Sequence, residues 1–342
     1  MSGDAGVAPA PYSTHAGDVE RDREIVLGIW RGNLGRPGQL AAKYDWFYRQ
    51  CPWGVPLLVL LRHDPSGEWV GVAAAGPRRL RWQGRELHAG LLVDLAVVPG
   101  HRTLGPALAL QRALFARAAE AFDVVYGFPN AKAVAAVRRI GYGHFADIVR
   151  LSRVLRHAPY LERHLPKPLA RVAGWWLDAW DGLRQWRGRP AGGAEWLDTA
   201  DRRLVAATAD GIDTPDLVSP RDPVALQWRF DRAPGARVRY LRIADSAGGA
   251  RAWFACQVEG DVVRVQDMGG ALDASAAAVL VRSARALGAR SVSIELTRVD
   301  AVWSRAGFVE RSRRPVYGHW RCASGNQPPP ERIRFTPADE DE

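Results

Sequence analysis

Cysteine, lysine and long apolar runs are what the 342-residue chain has least of. Its three cysteines, Cys51, Cys256 and Cys322, are odd in number, scattered and free of any Cys-x-x-Cys pair. That argues against a disulfide framework and against a zinc site, and no metal is expected. No run approaches the roughly 18 apolar residues of a spanning helix, and the N-terminal stretch lacks the apolar core of a signal peptide. The expected location is cytoplasmic. Only Lys43, Lys132 and Lys167 are lysines among 47 basic residues, and the net charge is +10. An arginine excess suits phosphates, but there is no block of consecutive basic residues and no helix-turn-helix, zinc-finger or RNA-recognition signature. Nucleic acid is therefore not the expected partner; attraction to smaller anions accounts for the charge. With 47% hydrophobic residues, the chain can bury a sizeable core and is long enough for two domains.

What is present is concentrated in residues 91–122, LLVDLAVVPGHRTLGPALALQRALFARAAEAF. An apolar strand runs into a short loop holding Arg102, Gly105 and Ala107, and then into a helix. Ala107, Leu110, Leu114, Ala118 and Phe122 recur at helical spacing, which lays one face on a sheet. Pro106 suits the first turn, where its missing N–H matters least. A strand, a Gly-bearing loop and a helix N-terminus together make an anion cradle, and a phosphorylated cofactor is the expected guest. The pattern Arg/Gln-x-x-Gly-x-Gly/Ala also occurs at 138–143, 189–194 and 266–271. Only the copy at Arg102 sits between an apolar strand and a striped helix.

Here the chain resembles the Gcn5-related N-acetyltransferase superfamily, whose acyl-CoA signature has this pattern between a strand and a helix. VVPGHRTLGPA matches it; VVYGFPN (124–130) and AKAVAAVRRIGY (131–142) match the strand and helix that follow, and IVRLSRVL (148–155) a returning strand. The resemblance implies an α+β fold, a twisted mixed sheet flanked by helices in which two strands splay to admit the CoA arm. It implies acetyl-CoA or another acyl-CoA as co-substrate and an amine as acceptor: a small molecule, an amino sugar or a cell-envelope precursor. It also implies cofactor contacts from the loop residues Arg102, Thr103, Leu104, Gly105 and Ala107, from backbone amides of Leu95, Ala96 and Val97, and from Asn130. The usual acid of the family, a Tyr four residues before the Gly-aromatic pair, is Val137 here.

A repeat extends the reading. Trp46-Phe47-Tyr48 followed by Pro52 is echoed by Trp228-Arg229-Phe230 followed by Pro234, Asp94 by Asp267, and Gly141-Tyr142 by Gly307-Phe308. Two tandem copies of one fold is the economical reading. The second copy carries no Arg in GGALDASAAAVL (269–280), where Asp273 reads as a helix N-cap, and is expected to be degenerate. The expected division is a disordered N-terminus (1–22), an acyl-CoA-binding domain (23–155), a Trp/Arg-rich linker helix (156–195), the degenerate domain (196–322) and a disordered Pro-rich acidic tail (323–342). The linker tryptophans are expected to pack between the domains; peripheral contact of 169–187 with an anionic membrane is the alternative.

For proton transfer the candidates are Asp94, Tyr126, Tyr142 and His144. Asp94 interrupts an apolar strand, where a carboxylate must be solvated, paired or used, so a base and an Arg-paired Asp are both open readings. The tyrosines stand in for the missing acid or are core aromatics; His144 has a suitable ordinary pKa. A non-catalytic CoA-binding or scaffold module is the rival to an acyltransferase.

Overall fold

Near-continuous apolar runs rich in Leu, Val and Ala make Leu57–His63 and Glu68–Trp82 buried strands, and the computed structural model joins them in an antiparallel pair from Leu57↔Ala75 to His63↔Glu68. Residues 11–34, 37–131, 133–186, 193–205, 214–235, 237–321 and 327–340 are described. They fall into two units, neither a continuous stretch.

The first unit takes its described residues from 1–79, 87–144 and 317–326. Its elements in chain order are β1 (Tyr12–Ala16), α1 (Arg23–Trp30), α2 (Leu40–Tyr44), a π-helical turn at Asp45–Arg49, β2 (Leu57–His63), most of β3 (Glu68–Trp82), most of β4 (Arg85–Val97), α3 (Leu104–Ala121), β5 (Val124–Gly127), α4 (Val134–Ile140) and the start of β6 (Gly143–Val154). β1 adds antiparallel to β2, from Tyr12↔His63 to Ala16↔Val59. The expectation of disorder over residues 1–22 is thus corrected for 11–22. Tyr12 packs on the core beneath α3, and backbone pairing along β2 outweighs a polar composition. β4 and β5 run parallel, from Ala89↔Val124 to Leu91↔Tyr126. Leu110, Leu114 and Ala118 of α3 are buried with Val59, Val70 and Val125, as the stripe requires. Gly141 ends α4 at φ +116°, a left-handed cap that favours glycine.

The second unit takes its described residues from 80–86, 145–316 and 327–342. It holds the rest of β6, α5 (Ala158–Leu161), α6 (Lys167–Trp186), β7 (Ala194–Leu197), α7 (Arg202–Val205), β8 (Leu217–Val218), α8 (Pro223–Leu226), a second π-helical turn at Gln227–Asp231, β9 (Val238–Ala244), β10 (Ala250–Glu259), β11 (Val262–Gly270), α9 (Ala274–Ala286), β12 (Ser291–Leu296), α10 (Ala301–Arg305), most of β13 (Val309–Trp320) and β14 (Ile333–Arg334). β9, β10 and β11 are antiparallel neighbours, and β11 and β12 are parallel, from Val262↔Ser291 to Val265↔Ile294. The order from the π-helical turn onward, three antiparallel strands, a helix, a parallel strand and a short helix, is that of the first unit.

Each unit is completed by a strand from elsewhere in the sequence. β5 pairs antiparallel with the end of β13, from Tyr317↔Gly127 to Trp320↔Val124. β12 pairs with β6, from Ser291↔Val154 to Leu296↔Val149. The expected boundary at residue 155 therefore falls instead at 144. Val149, Leu151 and Leu155 are buried among Val292, Ile294 and Phe308, not with the first unit's core.

The C-terminal segment is also ordered. Residues 327–340 were expected to be disordered, but β14 pairs with β8, and Phe335, Ala338 and Asp339 are buried in the second unit. Residues 1–10, 323–326 and 341–342 of the two expected disordered ends lie outside the described residues, as does Cys322. No described helix is long and apolar enough to cross a membrane.

Candidate functional site

β4 pairs with β5 only as far as Leu91, and three residues later Asp94 adopts φ +55°, a left-handed conformation that a non-glycine residue rarely takes. Its carboxylate is 2% exposed and held twice: Lys43 Nζ of α2 donates to Oδ1 at 2.8 Å, and Tyr48 OH of the π-helical turn donates to Oδ2 at 2.8 Å. A base and an Arg-paired Asp were the two open readings; the partners of the carboxylate here include a lysine and a tyrosine. Neither was singled out. Lys43 carried a signal, being one of three lysines in an arginine-dominated chain and lying three residues before the aromatic cluster. These contacts fix the kink that follows the fork between β4 and β5.

Beyond the kink, Val98 N–H donates to Val70 O on β3 at 2.9 Å. By strand alternation Ala96 N–H faces β3 too, while Leu95 and Val97 face the side that β5 has left. The expected cofactor contact through the Ala96 amide is corrected accordingly.

The loop is tied down from within. Arg102 Nε donates to Val97 O at 3.1 Å, and its Nη2 bonds Gly32 O at 3.2 Å and Asn33 Oδ1. Its guanidinium braces the loop against the end of α1. His101 Nδ1 lies 2.9 Å from Tyr12 OH, and its ring lies 4.7 Å from that of His63. Thr103 N–H is spent on His101 O at 2.8 Å. Thr103 is the N-cap of α3, yet its side chain makes no cap bond. One of the expected cradle donors, Thr103, is therefore committed, and Pro106 has none. Leu104 and Gly105 N–H remain, with no acceptor among the described residues.

Gly105 has no positive φ, and a Cβ built on it would meet nothing within 4 Å. The protein's own packing does not call for glycine there, whereas the close approach of a phosphate would. An anion thus fits the first turn of α3 through two amides and the positive end of an 18-residue helix.

The remaining candidates separate. Asn130 is exposed, and its Oδ1 accepts Ala133 N–H at 3.1 Å, so it starts the turn into α4. Tyr126 is fully buried, edge-on to Phe128. Tyr142 is buried against Phe115 at 4.9 Å; its hydroxyl has no hydrogen-bond partner among the described residues, and burial pushes its pKa up. His144 is exposed, with Tyr317 edge-on at 5.8 Å. Val137 and Trp303, each four residues before a Gly-aromatic pair, are both core residues.

At the matching place in the second unit, Asp267 is 1% exposed. Arg221 Nε forms an ion pair with Oδ2 at 2.5 Å, and Thr336 Oγ1 donates to Oδ1 at 2.9 Å. Asp339 shares the same guanidinium at 2.7 Å. Burial, helped by the nearby Asp339, pushes the Asp267 carboxyl up despite Arg221. Thr297, just past β12, exchanges bonds with the C-terminal segment: its N–H donates to Phe335 O at 3.1 Å, and Phe335 N–H to its Oγ1 at 2.9 Å. The segment from Ile333 to Asp339 therefore lies between Asp267 on β11 and Thr297 after β12, across that fork. Asp273 caps α9 as its sequence position indicates, accepting Ala276 N–H at 3.0 Å, and also bonds Arg251.

No family model matches the sequence, and no curated protein matches it. Solved structures do. A conserved protein of unknown function from Enterococcus faecalis, described as a probable N-acyltransferase, superposes with a TM-score of 0.64 at 10% identity over 91% of this chain and 73% of its own. A GCN5-related N-acetyltransferase from Anabaena variabilis gives 0.64 at 11% identity, with the same coverage. One from Kribbella flavida gives 0.60 at 14%, over 91% and 71%. The chain has the fold of these proteins, a twisted mixed sheet flanked by helices.

Proposed function

We propose that the first unit binds an acyl-CoA and transfers its acyl group to an amine. The observation that carries this reading is the open first turn of α3. Leu104 and Gly105 present unspent N–H groups above a glycine that the protein's packing does not need, just past the fork between β4 and β5. Likeness of fold to N-acetyltransferases supports it. Bound there, the thioester would supply an activated acyl group. Leu104 and Gly105 would donate to its diphosphate, and Leu95 and Val97 N–H would face its arm. Asp94, locked by Lys43 and Tyr48, serves as a positioning residue that holds the kink; the solvent-reaching His144 takes the acceptor's proton as the amide C–N bond forms, and the thioester C–S bond breaks to release CoA, whose sulfur takes a proton from water. The acceptor class we propose is a small amine, including amino sugars and cell-envelope precursors.

A second reading, a CoA-binding module without chemistry, draws on the burial of Tyr126 and Tyr142 and on Val137 in the core. Calorimetry with CoA, beside an acyl-transfer assay over an amine panel, separates the two. Turnover that falls about 100-fold in His144→Gln with CoA affinity intact supports the enzyme. Binding with no turnover on any amine supports the module, and absence of CoA binding removes both.

A further inference from the structure

The helix α6 is docked the wrong way round for a soluble linker. Along one stripe, Ala170 is fully buried, and a Cβ on Gly174 would lie 2.6 Å from Ala158 N. Asp178 Oδ1 accepts His157 N–H at 3.0 Å and lies 2.6 Å from His157 Nδ1. Asp181 pairs with Arg153 at 2.6 Å and with Arg285. The docked face is thus made of small residues and ion pairs. On the opposite stripe, Leu169, Val172, Trp176, Trp180 and Leu183 are between 55% and 64% exposed, and Trp175 beside them is 63% exposed. The tryptophans, expected to pack between domains, are on the side of α6 that its own unit does not cover. The reason is that close approach at Gly174 and the two aspartates holds the helix by its polar side.

A surface of this size, rich in indoles, calls for a partner. The charge around it selects one. Arg163, Lys167 and Arg171 are exposed at the start of the helix, and Arg184 stands in its last turn. Both aspartates of α6 face inward, and Glu162 is the one other carboxylate of 156–186. A second copy of the chain, laid on this face in either direction, would bring basic ends together. An anionic surface would not be repelled. The helix falls short of a spanning segment, and indoles with a basic rim suit the headgroup boundary.

We infer that α6 is an in-plane anchor that seats the protein on an anionic lipid surface. The test is cosedimentation of the full chain with phosphatidylcholine vesicles, with and without phosphatidylglycerol. Binding is expected only when phosphatidylglycerol is present, and is expected to weaken with salt. It should fall at least ~10-fold in Trp176→Ser/Trp180→Ser and also in Lys167→Glu/Arg171→Glu, with the circular dichroism and thermal midpoint of the wild type because these side chains are exposed. No binding to anionic vesicles at low salt, or binding indifferent to both pairs of substitutions, overturns the inference. So does a micromolar dimer, seen by sedimentation, that the Trp substitutions dissociate, because a second copy would then cover the face.

Discussion

The first turns of α3 and α9 stand at the same point in the two units, after a strand that has just parted from its parallel neighbour, and they are finished differently. Thr103 leaves its helix uncapped, while Asp273 closes its own with a carboxylate. The forks behind them differ as well. Asp94 is held by Lys43 and Tyr48 from the N-terminal elements of its unit, whereas Asp267 is held by Arg221 and by Thr336 from the C-terminal segment that crosses its fork. The same scaffold can thus leave the first turn of this helix uncapped or close it with a carboxylate, and leave its fork to the N-terminal elements or cross it with a C-terminal segment. What decides is a cap residue and a stretch of chain, not the sheet.

The largest test of that contrast is to remove the cation paired with each aspartate. Arg221→Met leaves two carboxylates facing each other without a counter-charge and should cost about 3–5 kcal/mol in urea denaturation. Lys43→Met, at a side chain with some access to water, should cost about 1–3 kcal/mol; a reversed order would break the comparison. Next comes ligand affinity: Gly105→Glu should weaken CoA binding by calorimetry at least ~30-fold, about 2 kcal/mol. Ala274→Glu, in the first turn of α9, should leave it unchanged. Smaller again are the caps. Asp273→Ala should lower stability by about 1 kcal/mol, and Thr103→Ala by almost nothing, since only the aspartate makes a cap bond.

The smallest effect is on the pH profile of stability. Burial raises the Asp267 carboxyl, so its contribution is present below the unfolded value near 4 and is lost as pH rises through the folded value. Asp181 runs the other way. Burial opposes its charge, but Arg153 and Arg285 hold its carboxyl below the usual range, so its stabilisation is present above about 4 and is lost as pH falls through the lowered value. Denaturation midpoints across pH should show Asp267→Asn flattening the neutral side and Asp181→Asn the acid side.

Local features were legible in the sequence. The α3 stripe, the Asp273 cap and the glycine ending α4 each rest on a few adjacent residues, and each stands in the structure. The repeated aromatic cluster marks the two π-helical turns. What escaped depended on distance along the chain. Alternation identifies residues 148–155 as a strand without saying which sheet takes it. Nothing near Asp94 announces Lys43, 51 residues away. Proline and acid in the last residues concealed Phe335, Thr336 and Asp339, whose burial rests on Arg221 and Thr297. The period of α6 revealed two faces, yet not that the small-residue side would be the docked one.

The exchange of β6 and the end of β13 governs how the protein can be made. A nascent chain that has reached residue 144 exposes one edge of β5, whose neighbour, residues 317–320, has yet to be translated. That unpaired edge invites wrong partners during synthesis. A gene cut after residue 155 would yield two polypeptides, each short of the strand that completes its sheet.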